Sequence, residues 1–321
     1  MFNNAEIRSV LSNLRGYYSV AAAFSLAINL LYLAGPLYML QVYDRVMSSG
    51  SLVTLTMLSL ILLVSYAALV LLDGVRSRIL NRAGLRIDAL LSRRVMMAAL
   101  ERPELRSQPM RDLDTVRFFA TGAGVQALFD VPWIPIYLIV LFLLHSAVGI
   151  FALCGMAALV LLAGLNEVVL KRSLSQSGDA ANRNYAFTDV SMRNSDSVRA
   201  MGMAEGLLTR WSEDRDRMLH AQVVASDRGG VLSGAIKYLR MSMQSMVLAV
   251  GAYLVIERLA AGGIMFASNM LLGRALQPVE QLVGNWRNFV NARDALARLT
   301  QLLESVPAEK PALTLPSPMA G

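Results

Sequence analysis

The stretch LLGRALQPVEQLVGNW, from Leu271 to Trp286, starts as apolar as a membrane helix and then places Arg274, Gln277, Glu280 and Gln281 inside it. On a helical wheel of about 100° per residue, Gln277, Gln281, Asn285 and Asn288 fall within about 60° of Arg274. Val279, Leu282, Val283 and Trp286 lie on the other side, so a helix here has one polar stripe and one apolar face. Amides and a guanidinium donate and accept hydrogen bonds but attack no bond. Their chemistry is recognition, or the lining of a path that is not lipid. Arg274, Gln277, Gln281, Asn285 and Asn288 are the candidate path residues, and an ionisable intramembrane residue is by default a functional one. The other role open to Arg274 is structural, paired to a neighbouring helix or snorkelling to the interface.

Other chemistries find little support. Cys154 is the single cysteine, so no intrachain disulfide is possible, and it lies in an apolar block where a buried thiol is the ordinary reading. His145 and His220 are the two histidines and lie far apart, which argues against a zinc site. A P-loop needs Gly-Lys followed by Ser or Thr, because backbone amides and the lysine cradle the phosphates. The three lysines follow Leu170, Ile236 and Glu309, so this sequence is not expected to hydrolyse ATP by itself.

The elements that must hold the stripe are membrane spans. The chain has 321 residues, 55% hydrophobic and 17% charged, with the apolar residues in long blocks, whereas a soluble domain carries about 25% charge. Residues 1–16 read as an amphipathic interfacial helix, with Ile7, Val10, Leu11 and Leu14 at helical spacing and Arg8, Ser12 and Arg15 between. The apolar run after it is longer than a signal-peptide core and no small-x-small cleavage site follows, so it reads as a retained span. Spans are expected at about 17–40, 52–72, 133–147, 149–170, 241–260 and 264–283. Pro36 is a candidate kink in the first. Trp133–Leu170 is apolar for 38 residues, enough for two crossings of about 20 residues each, with HSAVG at 145–149 as the turn. Residues 305–321, with four prolines, read as a linker or tail.

The spacing alternates short and long. The two long polar stretches, 73–132 and 171–240, carry helix-favouring residues and few turn signals, and read as helical hairpins reaching roughly 40 Å from the membrane. RSQPMRDLD (106–114) marks one tip and FTDVSMRNSDS (187–197) the other. Lys and Arg set the orientation. Ten lie in the first long stretch and eleven in the second, against Arg45 and Arg258 on the opposite face. Both termini and both hairpins are therefore expected in the cytoplasm. The net charge of +7 is thus placed by membrane topology, and no nucleic-acid role is expected from it. Asn29 in span one reads as a hydrogen-bond donor to a neighbouring helix. Asn166 and Glu167 read as interfacial, and the adjacent Asp44 and Arg45 as a pair that orders a loop.

Four stretches, PLYMLQVYDRVMSSGSLVTL (36–55), FDVPWIPIYLIVLFLLH (129–145), NSDSVRAMGM (194–203) and LLGRALQPVEQLVGNW, together resemble the type I secretion ABC exporters, within them the branch that secretes proteases and other RTX-type proteins. The resemblance covers about residues 10–304. It implies an all-α membrane protein with the six-helix type 1 ABC exporter transmembrane domain over 17–304 and long cytoplasmic helical extensions. It implies a homodimer in the bacterial inner membrane, working with a periplasmic adaptor and an outer-membrane channel on unfolded proteins with a C-terminal signal. ATP and Mg are expected at a cytoplasmic ATPase domain, fused or separate, with no cofactor in this chain. A peptidase-like domain before span one, present in some members, is not expected here. The resemblance also implies that force arrives at the hairpin tips, which makes Arg111, Asp112, Asp114 and Arg117, and Asp189, Ser191, Met192 and Arg193, candidate contacts to the ATPase. An ABC exporter of lipid or small molecules, and an ATPase-less membrane scaffold, remain the alternatives.

Overall fold

The computed structural model describes residues 5–102, 105 and 108–306, without the side chains of 5–11 and 166–167. The tail expected over 305–321 thus lies mostly outside the described residues, as do the side chains of Asn166 and Glu167. All regular elements among the described residues are helices: α1 (Ala5–Leu31), α2 (Ala34–Gln41), a π-helical turn (Val42–Val46), α3 (Met47–Ser49), α4 (Leu52–Glu101), α5 (Gln108–Thr121), α6 (Ala123–Asp130), a 3-10 turn (Val131–Trp133), α7 (Ile134–Leu144), α8 (Ser146–Arg193), α9 (Ser195–Ala200), α10 (Ala204–Ile256), α11 (Gly262–Gly284) and α12 (Trp286–Ser305). They sort into two compact units, one of 1–28, 70–126 and 288–321, the other of 29–69 and 127–287.

The first unit is built on a helical stripe. Ala83, Ile87, Leu91, Val95 and Ala98 repeat at three and four residues along α4, so they share one face and bury it against Leu14 of α1, Leu113 of α5 and Leu299, Leu302 and Leu303 of α12. Arg76 is buried beside them. Its guanidinium donates to Asp73 at 2.7 Å and to Ser25 at 3.4 Å, so the charge enters the interior paired. The end of α12 is also tied down: Arg94 of α4 donates to the carbonyls of Leu303 and Val306, two of the acceptors that a helix terminus leaves open.

In the second unit α10 runs alongside α8, and α11 packs against α2, α7, α8 and α10. Its core joins Tyr137 and Leu141 of α7, Val148, Ala152 and Leu159 of α8, Val247 and Leu254 of α10, and Leu271, Leu272, Ala275 and Leu276 of α11. One extended residue, His145, separates α7 from α8, and its Nδ1 accepts from Ala147 N–H to cap α8.

Five segments are long and apolar enough to cross a membrane by length and composition: Ser12–Ser49, Leu52–Glu101, Gln108–Leu144, Ser146–Arg193 and Ala204–Ile256. The sixth expected crossing, carried by α11, falls short of that measure. Burial explains the difference. Ten residues of α11 are buried, including Ser268, so its surroundings are protein and it need not be apolar all round. None of the apolar window of α4 is fully buried: one side is half-buried, with Ser59 hydrogen-bonded to Tyr38 at 3.0 Å, and the rest is exposed and must suit hydrocarbon.

Candidate functional site

Span one is broken at Tyr32–Leu33, between α1 and α2. The cause is Pro36: it has no N–H to give the Tyr32 carbonyl four residues back, and its ring crowds that carbonyl. The same relation recurs in α11, where Pro278 leaves the Arg274 carbonyl without its helical donor. These two loosened positions face each other. The Arg274 guanidinium lies 3.6 Å from the centre of the Tyr32 ring, well inside cation–π range, and its Nη1 donates to Gln277 Oε1 at 3.1 Å.

Glu280, the other charge in α11, is matched too. Arg240 of α10 reaches it at 2.7 Å and donates to Gln244 at 3.2 Å. Gln244 fills the notch at Gly273, where an added Cβ would sit 2.4 Å from its Nε2. So α11 is held to α2's leading turn by its arginine and to α10 by its glutamate. What remains on its half-buried polar side is Gln277 and Gln281.

The stripe does not run on to Asn288. Asn285 ends α11 with non-helical backbone, and its Nδ2 donates to the Gln281 carbonyl at 2.9 Å. A continuous wheel therefore stops there. Asn288 is exposed on α12 and belongs to the first unit.

Asn29 sits in a buried polar knot. Its Nδ2 donates to Asp130 at 2.9 Å, and the Tyr137 hydroxyl donates to its Oδ1 at 2.9 Å and to its carbonyl at 3.1 Å. Tyr137 is 2% exposed and Asn29 4%. The knot ties the first span to α6 and α7 and leaves no free amide for a ligand. Sequence reasoning missed both Asp130 and Tyr137; the FDVPWIPIY motif carries both.

The two tips differ from their expected positions. In the first, α4 ends at Glu101 and α5 starts at Gln108, so most of the expected tip at 106–114 lies on α5. Asp112 is buried at 7% and held by two bonds from Arg298 of α12, Nε to Oδ2 at 2.9 Å and Nη2 to Oδ1 at 2.6 Å. Asp114 accepts from Arg117 at 2.7 Å, and Arg117 also approaches Asp88 of α4 at 3.5 Å. Of the four expected contacts, Arg111 is the exposed one, and Phe118 beside them is 67% exposed.

In the second tip the chain turns at 194–203. Asp189 and Ser191 lie earlier, inside α8, where Ser191 bonds back to the Phe187 carbonyl at 2.8 Å. Trp211 of α10 donates to Thr188 at 3.0 Å and fixes the two arms together. Met192 and Arg193 reach the exposed end. The six-residue α9 follows, and Gly202 with φ of 66° reverses the chain. Met201 and Met203 stand exposed on either side of it. The signal for them was the MGM triplet within NSDSVRAMGM.

The decisive comparison is with a family profile described as ABC transporter transmembrane region, which matches residues 18–279. The chain belongs to that family. This ABC transporter membrane region is 37% identical over 321 aligned residues to the type I secretion system ATP-binding protein PrsD of Rhizobium meliloti, covering 98% of the chain and 55% of the relative. It is 25% identical over 292 residues to the cyclolysin secretion/processing ATP-binding protein CyaB of Bordetella pertussis, covering 87% of the chain and 40% of the relative. A similar match, 25% over 294 residues, is to the leukotoxin translocation ATP-binding protein LktB of Mannheimia haemolytica, covering 88% and 41%. The chain thus spans about half the length of these relatives. Among solved structures, a bacterial Atm1-family ABC exporter with ATP bound shares the fold with a TM-score of 0.73 over 91% of this chain and 54% of that one, at 16% identity.

Proposed function

We propose that this ABC transporter membrane region is the path-forming part of a type I protein secretion exporter, moving unfolded proteins with a C-terminal signal across the bacterial inner membrane. The observation that carries the reading is the match to PrsD along 98% of the chain, both hairpins included. ATP and Mg belong to an ATPase part, since these 321 residues hold no Gly-Lys-Ser/Thr. The working unit is a homodimer with the termini and tips in the cytoplasm, completed by a periplasmic adaptor and an outer-membrane channel.

Within this chain, force enters at α9 and its exposed flanks Met192, Arg193, Met201 and Met203, and at the exposed side of α5 by Arg111. Asp112 stiffens the first tip from inside, and Asp114 and Arg117 brace it nearer the surface. Gln277 and Gln281 present neutral hydrogen-bonding groups along the path, and Arg274 holds α11 to the broken first span. The test supplies the ATPase part and co-expresses an RTX-type protein bearing a C-terminal signal. Export into the medium, competed by that protein's C-terminal peptide, is the expected result. Transport of lipid or small molecules with no response to the peptide overturns the reading.

A further inference from the structure

The end of the second unit opposite α9 is closed by a contact the path does not use. α11 starts at Gly262–Gly263 after Ala261, and no side chain of its own first turn caps it. The first N–H groups of a helix need an acceptor from elsewhere. Asp44, more than two hundred residues earlier, provides it: Oδ1 accepts from Gly263 N–H at 2.8 Å. Beside it the rings of Tyr43 and Phe266 stack, centroids 4.3 Å apart and 14° from parallel. The two backbones approach so closely that a Cβ on Gly263 would lie 2.9 Å from the Leu40 Cα.

Three features make this contact separable. Its segment, Ala34–Ser49, is bounded by the break at Tyr32–Leu33 and by Gly50 at φ of 63°, so it has a joint at each end. The π-helical turn inside it, where Tyr43 and Asp44 lie, widens the helix locally and re-aims those side chains. Asp44 is exposed and lies beyond the expected end of span one at about residue 40, so on the exporter reading its carboxylate opens toward the outer surface of the membrane. α10, by contrast, is joined to α11 at the same end by the five residues 257–261, which tether the two helix ends.

We propose that Ala34–Ser49 is a hinged latch, closed on the N-terminus of α11 by Asp44, which must part from α11 for this end of the path to open. This rests on the exporter reading, in which this end faces outward. The test uses the complete exporter with Cys154→Ala, Tyr43→Cys and Phe266→Cys. Joining the two thiols with a short bifunctional methanethiosulfonate stops export, and reduction restores it, while the single-cysteine variants export through the same treatment. Export at the unlinked rate by the linked protein overturns the latch. A second readout needs no export: labelling of Phe266→Cys by a membrane-impermeant maleimide applied outside. Losing a helix cap shifts such an equilibrium about fivefold, so Asp44→Ala raises the labelling rate by about that factor and Asp44→Asn, which keeps an acceptor oxygen, raises it less. Unchanged labelling in Asp44→Ala also overturns the proposal. Absence of export from the parent would instead strike the exporter reading, and the labelling would still decide the latch.

Discussion

Removing Arg298 should harm the protein more than removing Asp112, and removing both should harm it less than removing Arg298 alone. The pair is lopsided. The Asp112 side chain is 10% exposed, and the Arg298 side chain is 43% exposed. Arg298→Ala strands the Asp112 carboxylate on the wall of the cavity between α5 and α12, a largely buried charge without its partner that costs about 3 kcal/mol. Asp112→Ala loses the two charge-assisted bonds, but the Arg298 side chain is 43% exposed and its guanidinium keeps access to water, so the cost is about 1.5 kcal/mol. In the double variant the stranded charge is gone and the loss returns to about 1.5 kcal/mol. The order of thermal midpoints of the detergent-purified protein, scanned at one rate, checks this: parent above the nearly equal Asp112→Ala and double variants, with Arg298→Ala lowest. A double variant less stable than Arg298→Ala would show that the two side chains act independently and refute the reasoning.

Other outcomes follow from single contacts. In a Cys154→Ala background, cysteines at 277 and 281 should react with water-soluble thiol reagents; full protection of both removes them from the path. Tyr32→Leu leaves the Arg274 charge without its ring and should cost about 1 kcal/mol of stability, with Tyr32→Phe close to the parent in the same thermal scan. Gly251→Ala meets the Met265 Cα at 2.8 Å, where backbone cannot give way, and should cost about 1–3 kcal/mol, whereas Gly230→Ala, mid-helix in α10 with nothing within 4 Å, should stabilise by about 0.5–1 kcal/mol. Arg193→Ala at the second tip should leave the protein inserted but separate ATP hydrolysis from export; coupled export at the parental ratio counts against the tip as the receiver of force.

The sequence made the helical class and the hairpin layout readable because both rest on local signals: long apolar blocks, helix-favouring polar stretches, and basic residues at span ends. It could not show which polar residues face inward. RDLD at 111–114 reads as a charged surface tip, yet Asp112 meets Arg298 from 186 positions away, and nothing local marks that. At the second tip the Ser, Thr and Asn run suggests a turn, but Thr188 and Ser191 spend their hydroxyls on carbonyls four residues back and stay helical. The reversal waits for Gly202, whose backbone needs no Cβ clearance. Span six was readable as a weak apolar segment, and its polar stripe as a wheel, but the wheel failed past Asn285 because a wheel presumes an unbroken helix.

On the export reading proposed above, the engagement of both charged residues of α11 has a consequence for the polypeptide that passes beside it. With Arg274 engaged by Tyr32 and Glu280 by Arg240, the wall offers amides, which meet acidic, basic and neutral side chains on similar terms. Such a surface gives no single residue of a moving polypeptide a deep resting place. On that same reading a long chain of mixed composition slides by without stalling at any one position, and selection of cargo falls to an end of the journey rather than to its middle.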